Sequence, residues 1–247
     1  MKPGKVILQV VFAILLSGCF QTQTVAPITA AENIRKTADG RIFVSGDAAI
    51  FEILPDGQGA YQAEAITQQD PQNRCAYYAG LAELNGWLFY VCTRFKAFSV
   101  GDLKFGNAGS LMAYSLQSGE VVMVADLSGF LIANGLDALP DDNAILMADE
   151  DIFGKGGVSR FNISFASGVP VVTEMQQHWI GPAQKVYAAN GVRVVDGNVF
   201  LTDIGFLKKL PLDAQGNPQH AQILYRGATV LDDLAPYCDG VLVADFV

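Results

Sequence analysis

The chain has 247 residues, of which 51% are hydrophobic, and its formal net charge is −9 at pH 7. Acidic residues outnumber basic ones by 25 to 16, which argues against nucleic-acid binding because phosphate contacts from Lys and Arg supply most of that affinity. The same balance is compatible with cation binding. The four cysteines form no CxxC motif and no Cys/His cluster, so the pattern does not support a zinc or thiol-redox site.

Residues 1–18 are predicted to be a signal peptide. Lys2 and Lys5 form a positively charged start, and an apolar run over residues 6–16 follows. This run is too short to span a bilayer comfortably, which favours cleavage over an uncleaved membrane anchor. The segment LSGC that ends at Cys19 resembles the lipobox of bacterial lipoproteins. That resemblance implies cleavage before Cys19 and lipidation of its thiol.

The lipidated terminus is expected to anchor the protein in a membrane, since two or more acyl chains give stable attachment. Phe20 follows Cys19, and no Asp stands there to retain the protein in an inner membrane. The resemblance therefore implies the periplasmic face of a bacterial outer membrane. Residues 19–31 are polar, small and Pro-containing and are predicted to form a flexible tether. Residues 32–247 are predicted to form one all-β domain.

The domain is predicted to consist of short strands. Apolar runs rich in Val, Ile, Phe and Tyr are bounded by Gly, Asp, Asn and Pro, and helical periodicity is scarce. In chain order the predicted strands are 42–44 and 49–53; 88–91, 111–114 and 120–124; 144–147 and 158–161; and 199–202 and 207–210. The segment 173–187 is interpreted as a link between the third and fourth groups.

A short phrase recurs five times along the domain. Its copies are DGRIFVSGD from Asp39, NGWLFYVCT from Asn85, DNAILMADED from Asp142, DGNVFLTDI from Asp196 and DGVLVADF from Asp239. Each copy has a turn pair, an apolar run and then a small or acidic residue, and the copies begin 43 to 57 residues apart. This spacing predicts a β-propeller in which each phrase supplies the inner strand of a blade.

About four and a half blades are present by this count. The fifth phrase supplies only one strand before the sequence stops at Val247. A propeller joins its first and last blades, which removes exposed sheet edges. Two interpretations stay open: a truncated version of a six-bladed parent, which the early end favours, or a five-bladed ring that the N-terminal segment completes.

The residues upstream of the phrases resemble the blade starts of a known superfamily. The segments are AENI from Ala31, NGLD from Asn134, NGV from Asn190 and LDDL from Leu231. They resemble the senescence marker protein/gluconolactonase superfamily, which includes regucalcin-type lactonases, paraoxonases and strictosidine synthase-like proteins. The resemblance runs from Glu32 to the end of the chain. It implies a six-bladed propeller, a divalent cation in the central tunnel and hydrolysis of a lactone or related ester.

The resemblance also implies a set of site residues. Glu32, Asn134, Asn190 and Asp232 would hold the cation, usually calcium, and Asp232 and Asp233 would act in catalysis. The chemistry fits independently, since calcium takes roughly six to eight hard oxygen ligands and a bound cation polarises an ester carbonyl. Asn-Gly and Asp-Asp pairs also form ordinary turns. Because four such polar residues occupy equivalent positions in successive repeats, the pattern favours side chains that face the tunnel over ordinary turns.

Two departures from the superfamily pattern argue against catalysis. Tyr78 is predicted to face the tunnel at the second blade start, where regucalcin-like lactonases place Asn and paraoxonase-like ones His; a phenol is a poor calcium ligand and a poor base at neutral pH. The chain also ends before the late-blade Glu of strictosidine synthase-like members. The acidic run 149–151 is interpreted as a solvated turn. The alternative function is a non-catalytic propeller that binds a small ligand or an envelope protein partner, or a truncated inactive homologue.

Three cysteines remain once Cys19 is assigned to lipid. In an oxidising compartment disulfides form and persist. Cys75 and Cys92 flank the predicted inner strand of the second repeat and are the favoured pair, which leaves Cys238 as an unpaired thiol.

Overall fold

The computed structural model of the chain describes residues 28–46, 49–67, 75–94, 109–151, 153, 155–237 and 240–245. The predicted signal peptide, Cys19 with most of the tether, and Cys238 lie outside the described residues. Within those ranges the regular structure is β, apart from two single 3-10 turns at Pro140–Asp142 and Pro182–Gln184. No helix in them is long and apolar enough to cross a membrane.

In the described part of the chain, the strands form four four-stranded antiparallel sheets and one two-stranded sheet. Blade one contains β1 (Ile34–Lys36), β2 (Ile42–Ser45), β3 (Ile50–Pro55) and β4 (Tyr61–Ala65). Blade two contains β5 (Tyr77–Leu84), β6 (Trp87–Thr93), β7 (Ser110–Ser115) and β8 (Val121–Asp126). Blade three contains β9 (Ala133–Leu139), β10 (Ala144–Asp149), β11 (Gly157–Ser164) and β12 (Val171–Ile180). Blade four contains β13 (Ala189–Val195), β14 (Asn198–Asp203), β15 (Phe206–Pro211) and β16 (Gln222–Arg226), and a half blade contains β17 (Leu231–Tyr237) and β18 (Gly240–Asp245).

This arrangement is a partial β-propeller, which confirms the prediction of about four and a half blades. The innermost strands are β1, β5, β9, β13 and β17, and each contacts the next in that order. The repeated phrase forms the second strand of each sheet, so the prediction that it supplies the innermost strand is wrong.

In blades two and four the turn pair of the phrase explains this order, because it joins the innermost strand to the second strand in a tight hairpin. Asn85 and Gly86 both have positive φ, at 51° and 77°, as do Asp196 and Gly197, at 48° and 68°. This is the type I′ geometry that Asn-Gly and Asp-Gly pairs favour, and its twist matches that of the flanking strands.

The predicted link between the third and fourth groups is instead largely a strand. β12 completes blade three by pairing with β11. Most β12 side chains are exposed, so the segment lacks the alternation of apolar and polar residues by which a half-buried strand is recognised.

Apolar side chains fill the spaces between neighbouring blades. One core cluster between blades one and two includes Phe43 and Leu88, a second between blades two and three includes Phe89 and Ile145, and a third between blades three and four includes Leu146 and Val199. Consecutive residues such as Leu88 and Phe89 pack into opposite interfaces, because side chains alternate between the two faces of a strand. Burial of apolar surface at about 25 cal/mol per Å² therefore stabilises the three interfaces between blades one and four.

Cys75 and Cys92 form a disulfide in blade two, with their Cα atoms 5.1 Å apart. Cys92 lies near the end of β6, and Cys75 lies two residues before β5. The bridge therefore closes the open end of the β5–β6 hairpin, where Tyr77 pairs with Thr93.

Candidate functional site

Three predicted site residues lie at irregularities of the innermost strands. The register of strand pairing shifts at Asn134-Gly135 on β9, at Asn190-Gly191 on β13 and at Asp232-Asp233 on β17. A β-bulge re-aims the side chains of the bulged strand. The Asn-Gly and Asp-Asp pairs are therefore parts of bulged strands and do not form turns between elements.

Glycine in two of these bulges allows the innermost strands to approach closely. A Cβ added to Gly135 would lie 2.7 Å from the Asn190 carbonyl oxygen. A Cβ added to Gly191 would lie 2.9 Å from the Asp233 Cα. Contacts this short exclude any side chain, so both positions require glycine. The close approach brings the residues before each glycine together near the propeller axis.

Hydroxyl side chains at the ends of the repeated phrases hold the same backbone. Thr202 Oγ1 accepts a hydrogen bond from the Gly191 N–H at 2.8 Å and donates one to the Asp232 carbonyl oxygen at 2.6 Å. In blade one, the Ser45 hydroxyl accepts a hydrogen bond from the Asn33 N–H at 3.1 Å, and the Ser45 carbonyl oxygen accepts one from the Glu32 N–H at 3.0 Å. The small residue that ends the phrase thus positions the site residues of its own blade and of the next.

Carboxylates and amides from different blades meet at this end of the sheets. Glu32 accepts hydrogen bonds from the Tyr77 hydroxyl and from the Asn134 amide. Glu150 Oε2 accepts a hydrogen bond from Asn190 Nδ2 at 3.2 Å. Asn134 and Asn190 are buried. Blades one to four therefore all contribute to one polar cluster.

Burial and mutual repulsion raise the pKa of each carboxyl in the cluster. Burial raises the pKa of Glu150 to about 7, and the Glu32 charge adds to the effect. Burial raises the pKa of Asp232 to about 8, and the charges of Glu32, Asp233 and Glu150 add to it. Burial also raises the pKa of Glu32, although the hydrogen bond from Tyr77 opposes it. The cluster therefore concentrates negative charge that a cation would neutralise.

The oxygen atoms of the cluster suit a hard cation if Asn amide oxygens as well as carboxylate oxygens act as ligands. In the described part of the chain, no group of three or more His, Cys, Asp or Glu side chains is placed so that it alone could hold a metal ion. Carboxylate and amide oxygens together are ligands that Ca²⁺ accepts. An Asn amide carries both a donor and an acceptor end. Rotation of Asn134 or Asn190 would turn its oxygen toward a cation in place of the N–H that now faces a carboxylate.

The phenol beside the cluster belongs to Tyr77, so the prediction that Tyr78 faces the tunnel is not what the structure shows. Tyr78 points to the opposite face of β5, since successive side chains alternate. It is 1% exposed and packs between blades one and two, with its ring centroid 5.8 Å from that of Tyr90. Tyr77 and Tyr78 are adjacent, so an error of one residue in the predicted strand register assigns the phenol to the wrong face of β5.

Asp233, which the sequence analysis assigned to catalysis, is held by an ion pair. Its Oδ2 accepts hydrogen bonds from Arg193 Nη2 at 2.8 Å and from Asn33 Nδ2 at 2.6 Å. A second ion pair, between Arg35 and Asp137 at 2.7 Å, joins blades one and three nearby. These contacts make Asp233 part of the network that ties the blades together, and they disfavour it as a catalytic base.

Glu150 is not among the predicted site residues, because residues 149–151 have the sequence pattern of a solvated turn. The flanking residues Asp149 and Asp151 are buried. Asp149 Oδ1 accepts a hydrogen bond from the Ile132 N–H at 3.1 Å, and the Glu150 N–H donates to the Ile132 carbonyl oxygen at 2.9 Å. The signal that could have found Glu150 is its place directly after the second strand of blade three, beside the start of β9.

Comparison with known proteins shows the fold of the chain. No family model matches the sequence, and no curated protein is detectably similar to it. Its structure is similar to a chain of a nidogen/laminin complex, with a TM-score of 0.62 and 12% identity over 87% of this chain and 73% of that one. It is also similar to a gluconolactonase from Xanthomonas campestris, with a TM-score of 0.60 and 12% identity over 87% and 69% of the two chains. A luciferin-regenerating enzyme gives a TM-score of 0.59 and 18% identity over 88% and 67%.

These similarities and the sheet order define the class of protein: it is a β-propeller. At 12–18% identity the solved structures show the fold alone.

Proposed function

We propose that the protein binds a divalent cation, calcium in the first instance, and hydrolyses a lactone or related ester at the cluster. The observation that supports this is the convergence of Glu32, Glu150 and Asp232 from three separate blades: the Glu32 charge raises the pKa of Glu150 and of Asp232, and the Glu150 charge raises that of Asp232. Buried carboxylates are costly unless they are paired or coordinate a metal. A gluconolactonase with the same fold is consistent with the proposal.

The residues of the chain divide into two roles. Glu32, Asn134, Asn190 and Asp232 would hold the cation, which when bound would polarise the carbonyl of the ester. Glu150 would take the proton of the attacking water, since its Oε2 lies 3.2 Å from Nδ2 of the proposed ligand Asn190. In the cation-free protein burial raises the pKa of Glu150 to about 7, and a carboxylate beside the reacting centre can act as a general base.

A ligand-binding propeller without catalysis is the second candidate. The Tyr77 hydroxyl donates to Glu32 and engages an oxygen that a bound cation would otherwise use. This contact favours weak cation binding and disfavours turnover. Calcium or ligand binding without hydrolysis of any ester would assign the site to this function.

The first test is calorimetric titration of calcium into wild-type protein and into the Asn190→Ala variant, followed by an assay on a panel of lactones and aryl esters. Loss of one ligand is expected to weaken calcium binding by at least about tenfold and to lower turnover in parallel. Glu150→Gln is expected to lower turnover while calcium still binds.

The matched control is Asn162→Ala. Asn162 pairs with Ala144 on β10, at the end of blade three opposite to Asp149, so its removal should leave both measurements unchanged. Absence of calcium binding in the wild type, or equal effects of the two Asn substitutions, would contradict the proposal.

A further inference from the structure

One of the two carboxylate oxygens of Glu32 is engaged by a hydrogen bond from the neighbouring blade. The Tyr77 hydroxyl donates to Glu32 Oε2. The Tyr77 side chain is 5% exposed, and it belongs to the apolar core cluster between blades two and three. The phenol is thus fixed in the core at its ring and reaches the acidic cluster only with its hydroxyl.

The backbone that carries this phenol is held in place on both sides. The Tyr77 carbonyl oxygen accepts a hydrogen bond from Thr93 Oγ1 at 3.1 Å, and the Ala76 N–H donates to the Thr93 carbonyl oxygen at 2.8 Å. One residue earlier, Cys75 is joined to Cys92 by the disulfide. The hydroxyl is therefore presented to Glu32 by the closed end of a β-hairpin.

The two hydrogen bonds to the Glu32 carboxylate differ in what they become when a cation binds. Asn134 also donates to Glu32, but its amide can rotate and present an oxygen to the cation. The Tyr77 hydroxyl has no second oxygen to present, so its hydrogen bond to Oε2 is retained. Because the Glu32 N–H is bound to the Ser45 carbonyl oxygen at 3.0 Å, the backbone of Glu32 is held as well. Glu32 therefore offers the cation one oxygen.

We propose that Tyr77 sets the cation preference of the site by limiting Glu32 to one oxygen. This inference rests on the cation binding in the proposed function and names what controls its selectivity. Ca²⁺ takes roughly six to eight oxygens and accepts a carboxylate through both of its oxygens, whereas Mg²⁺ requires octahedral geometry and keeps several waters. Withholding one protein oxygen therefore weakens Ca²⁺ binding more than Mg²⁺ binding. Tyr77 is a positioning residue, since it touches the ligand Glu32 and not the cation.

The experiment measures the dissociation constants of Ca²⁺ and Mg²⁺ by calorimetric titration of the wild type, Tyr77→Phe and Tyr78→Phe. Tyr77→Phe removes the hydroxyl and frees Glu32 Oε2 for a second bond to the ion. The ratio of the Mg²⁺ constant to the Ca²⁺ constant should rise by about tenfold, an effect of the size that follows loss of a hydrogen-bond partner from a metal ligand. A general loss of stability would weaken both ions alike and leave the ratio unchanged.

Tyr78→Phe is the matched control. It removes a phenol hydroxyl from the adjacent residue, which is 1% exposed and packs between blades one and two, and it should leave the ratio as in the wild type. An equal rise in Tyr77→Phe and Tyr78→Phe would overturn the inference.

The remaining outcomes separate this inference from the proposed function. A ratio that rises only in Tyr77→Phe would support the role of Tyr77 even if no lactone or ester were hydrolysed, in which case only the hydrolytic part of the proposed function would fail. Calcium binding and ester hydrolysis by the wild type, with the same ratio in Tyr77→Phe, would overturn the inference and leave the proposed function standing. Binding of neither ion to the wild type or to Tyr77→Phe would contradict both.

Discussion

Arg193 Nη2 donates a hydrogen bond to Asp233 Oδ2 at 2.8 Å, and the same guanidinium joins blade four to three other parts of the propeller. Nη2 also donates to Asn33 Oδ1 at 3.0 Å, just before β1. Nη1 donates to the Leu136 carbonyl oxygen on blade three at 2.7 Å. The Arg193 side chain is 1% exposed, so these contacts are made out of water and hold the innermost strands in register.

Replacing Arg193 with Met should therefore destabilise the propeller strongly. The substitution leaves the Asp233 carboxylate buried without its cation, and breaking a buried ion pair in this way costs roughly 3–5 kcal/mol. Chemical denaturation of Arg193→Met and of the wild type measures the difference in free energy of unfolding.

Two further variants test whether the loss of stability comes from the unpaired, buried Asp233 carboxylate. Arg193→Met combined with Asp233→Leu should recover part of the loss, because it removes the unpaired charge. Arg160→Met breaks the ion pair with Asp142, whose N–O distance is 3.2 Å and whose acid is 40% exposed, and should cost less than about 1 kcal/mol. Equal losses for Arg193→Met and Arg160→Met would contradict the buried-pair argument.

Much of this architecture is predictable from the sequence, because the β-hairpin turns repeat. Asp196-Gly197 and Asn85-Gly86 adopt positive φ, and their spacing gives the blade count directly. The sequence does not tell which strand of a sheet is innermost. That depends on the contacts between blades, such as β9 against β13, which leave no local pattern.

The candidate site is predictable from the sequence only in part, because contacts between blades also decide which side chains enter it. Asn134, Asn190 and Asp232 lie six to eight residues before the start of their phrases, on bulges of innermost strands. Glu150 has no such offset and enters the cluster because blade packing places it beside Asn190. Whether Tyr77 or Tyr78 lies beside the cluster depends on the strand register. The spacing between repeats in the sequence defines equivalent positions only to within about one residue, so it cannot decide between them.

Gly191→Ala should disrupt the cluster through the backbone. The added Cβ would lie 2.8 Å from Leu234 Cδ2 and 2.9 Å from the Asp233 Cα, so β13 and β17 would have to separate. Overpacking of this kind costs about 1–3 kcal/mol. Thermal unfolding should show a lower Tm, and calcium affinity should fall with it. Gly129→Ala is the control, because a Cβ there meets nothing within 4 Å; a similar loss in both variants would count against the strand-contact explanation.

Removing the Cys75–Cys92 disulfide should lower the free energy of unfolding by about 3 kcal/mol. The two residues are 17 apart in sequence, and closure of a loop of this length in the unfolded chain has an effect of that order. Denaturation of Cys75→Ala/Cys92→Ala under oxidising conditions measures it. The wild type under reducing conditions should behave like the variant, and an unchanged midpoint would indicate that the bond does not form in solution.

Lipidation of Cys19 is testable in bacterial cells. The LSGC segment predicts incorporation of an alkyne-labelled fatty acid into the wild-type chain and none into Cys19→Ser. The labelled protein should sediment with outer membranes, while Cys19→Ser should not. Cys238→Ser provides the matched control for loss of a thiol, and fatty-acid labelling that persists in Cys19→Ser would contradict the lipoprotein interpretation.

The acidic cluster should make the stability of the cation-free protein fall as pH rises. Burial and neighbouring charges raise the pKa of Asp232 from an ordinary 3.8 to about 8 and that of Glu150 from 4.5 to about 7. Because each folded-state pKa lies above its unfolded value, the stabilising contribution is complete below about pH 4 and is lost as pH rises to about 8.

The Tm measured with a chelator should accordingly decrease between pH 5 and pH 8. Asp232→Asn, which carries no titrating group at that position, should show a shallower decrease. Calcium should raise the Tm of the wild type more at pH 8 than at pH 5, because it binds the ionised carboxylates. If the Tm of the chelated wild type were constant or rose over this range, Asp232 and Glu150 would not carry raised pKa values, and the burial and mutual repulsion on which the proposed cation site depends would be absent.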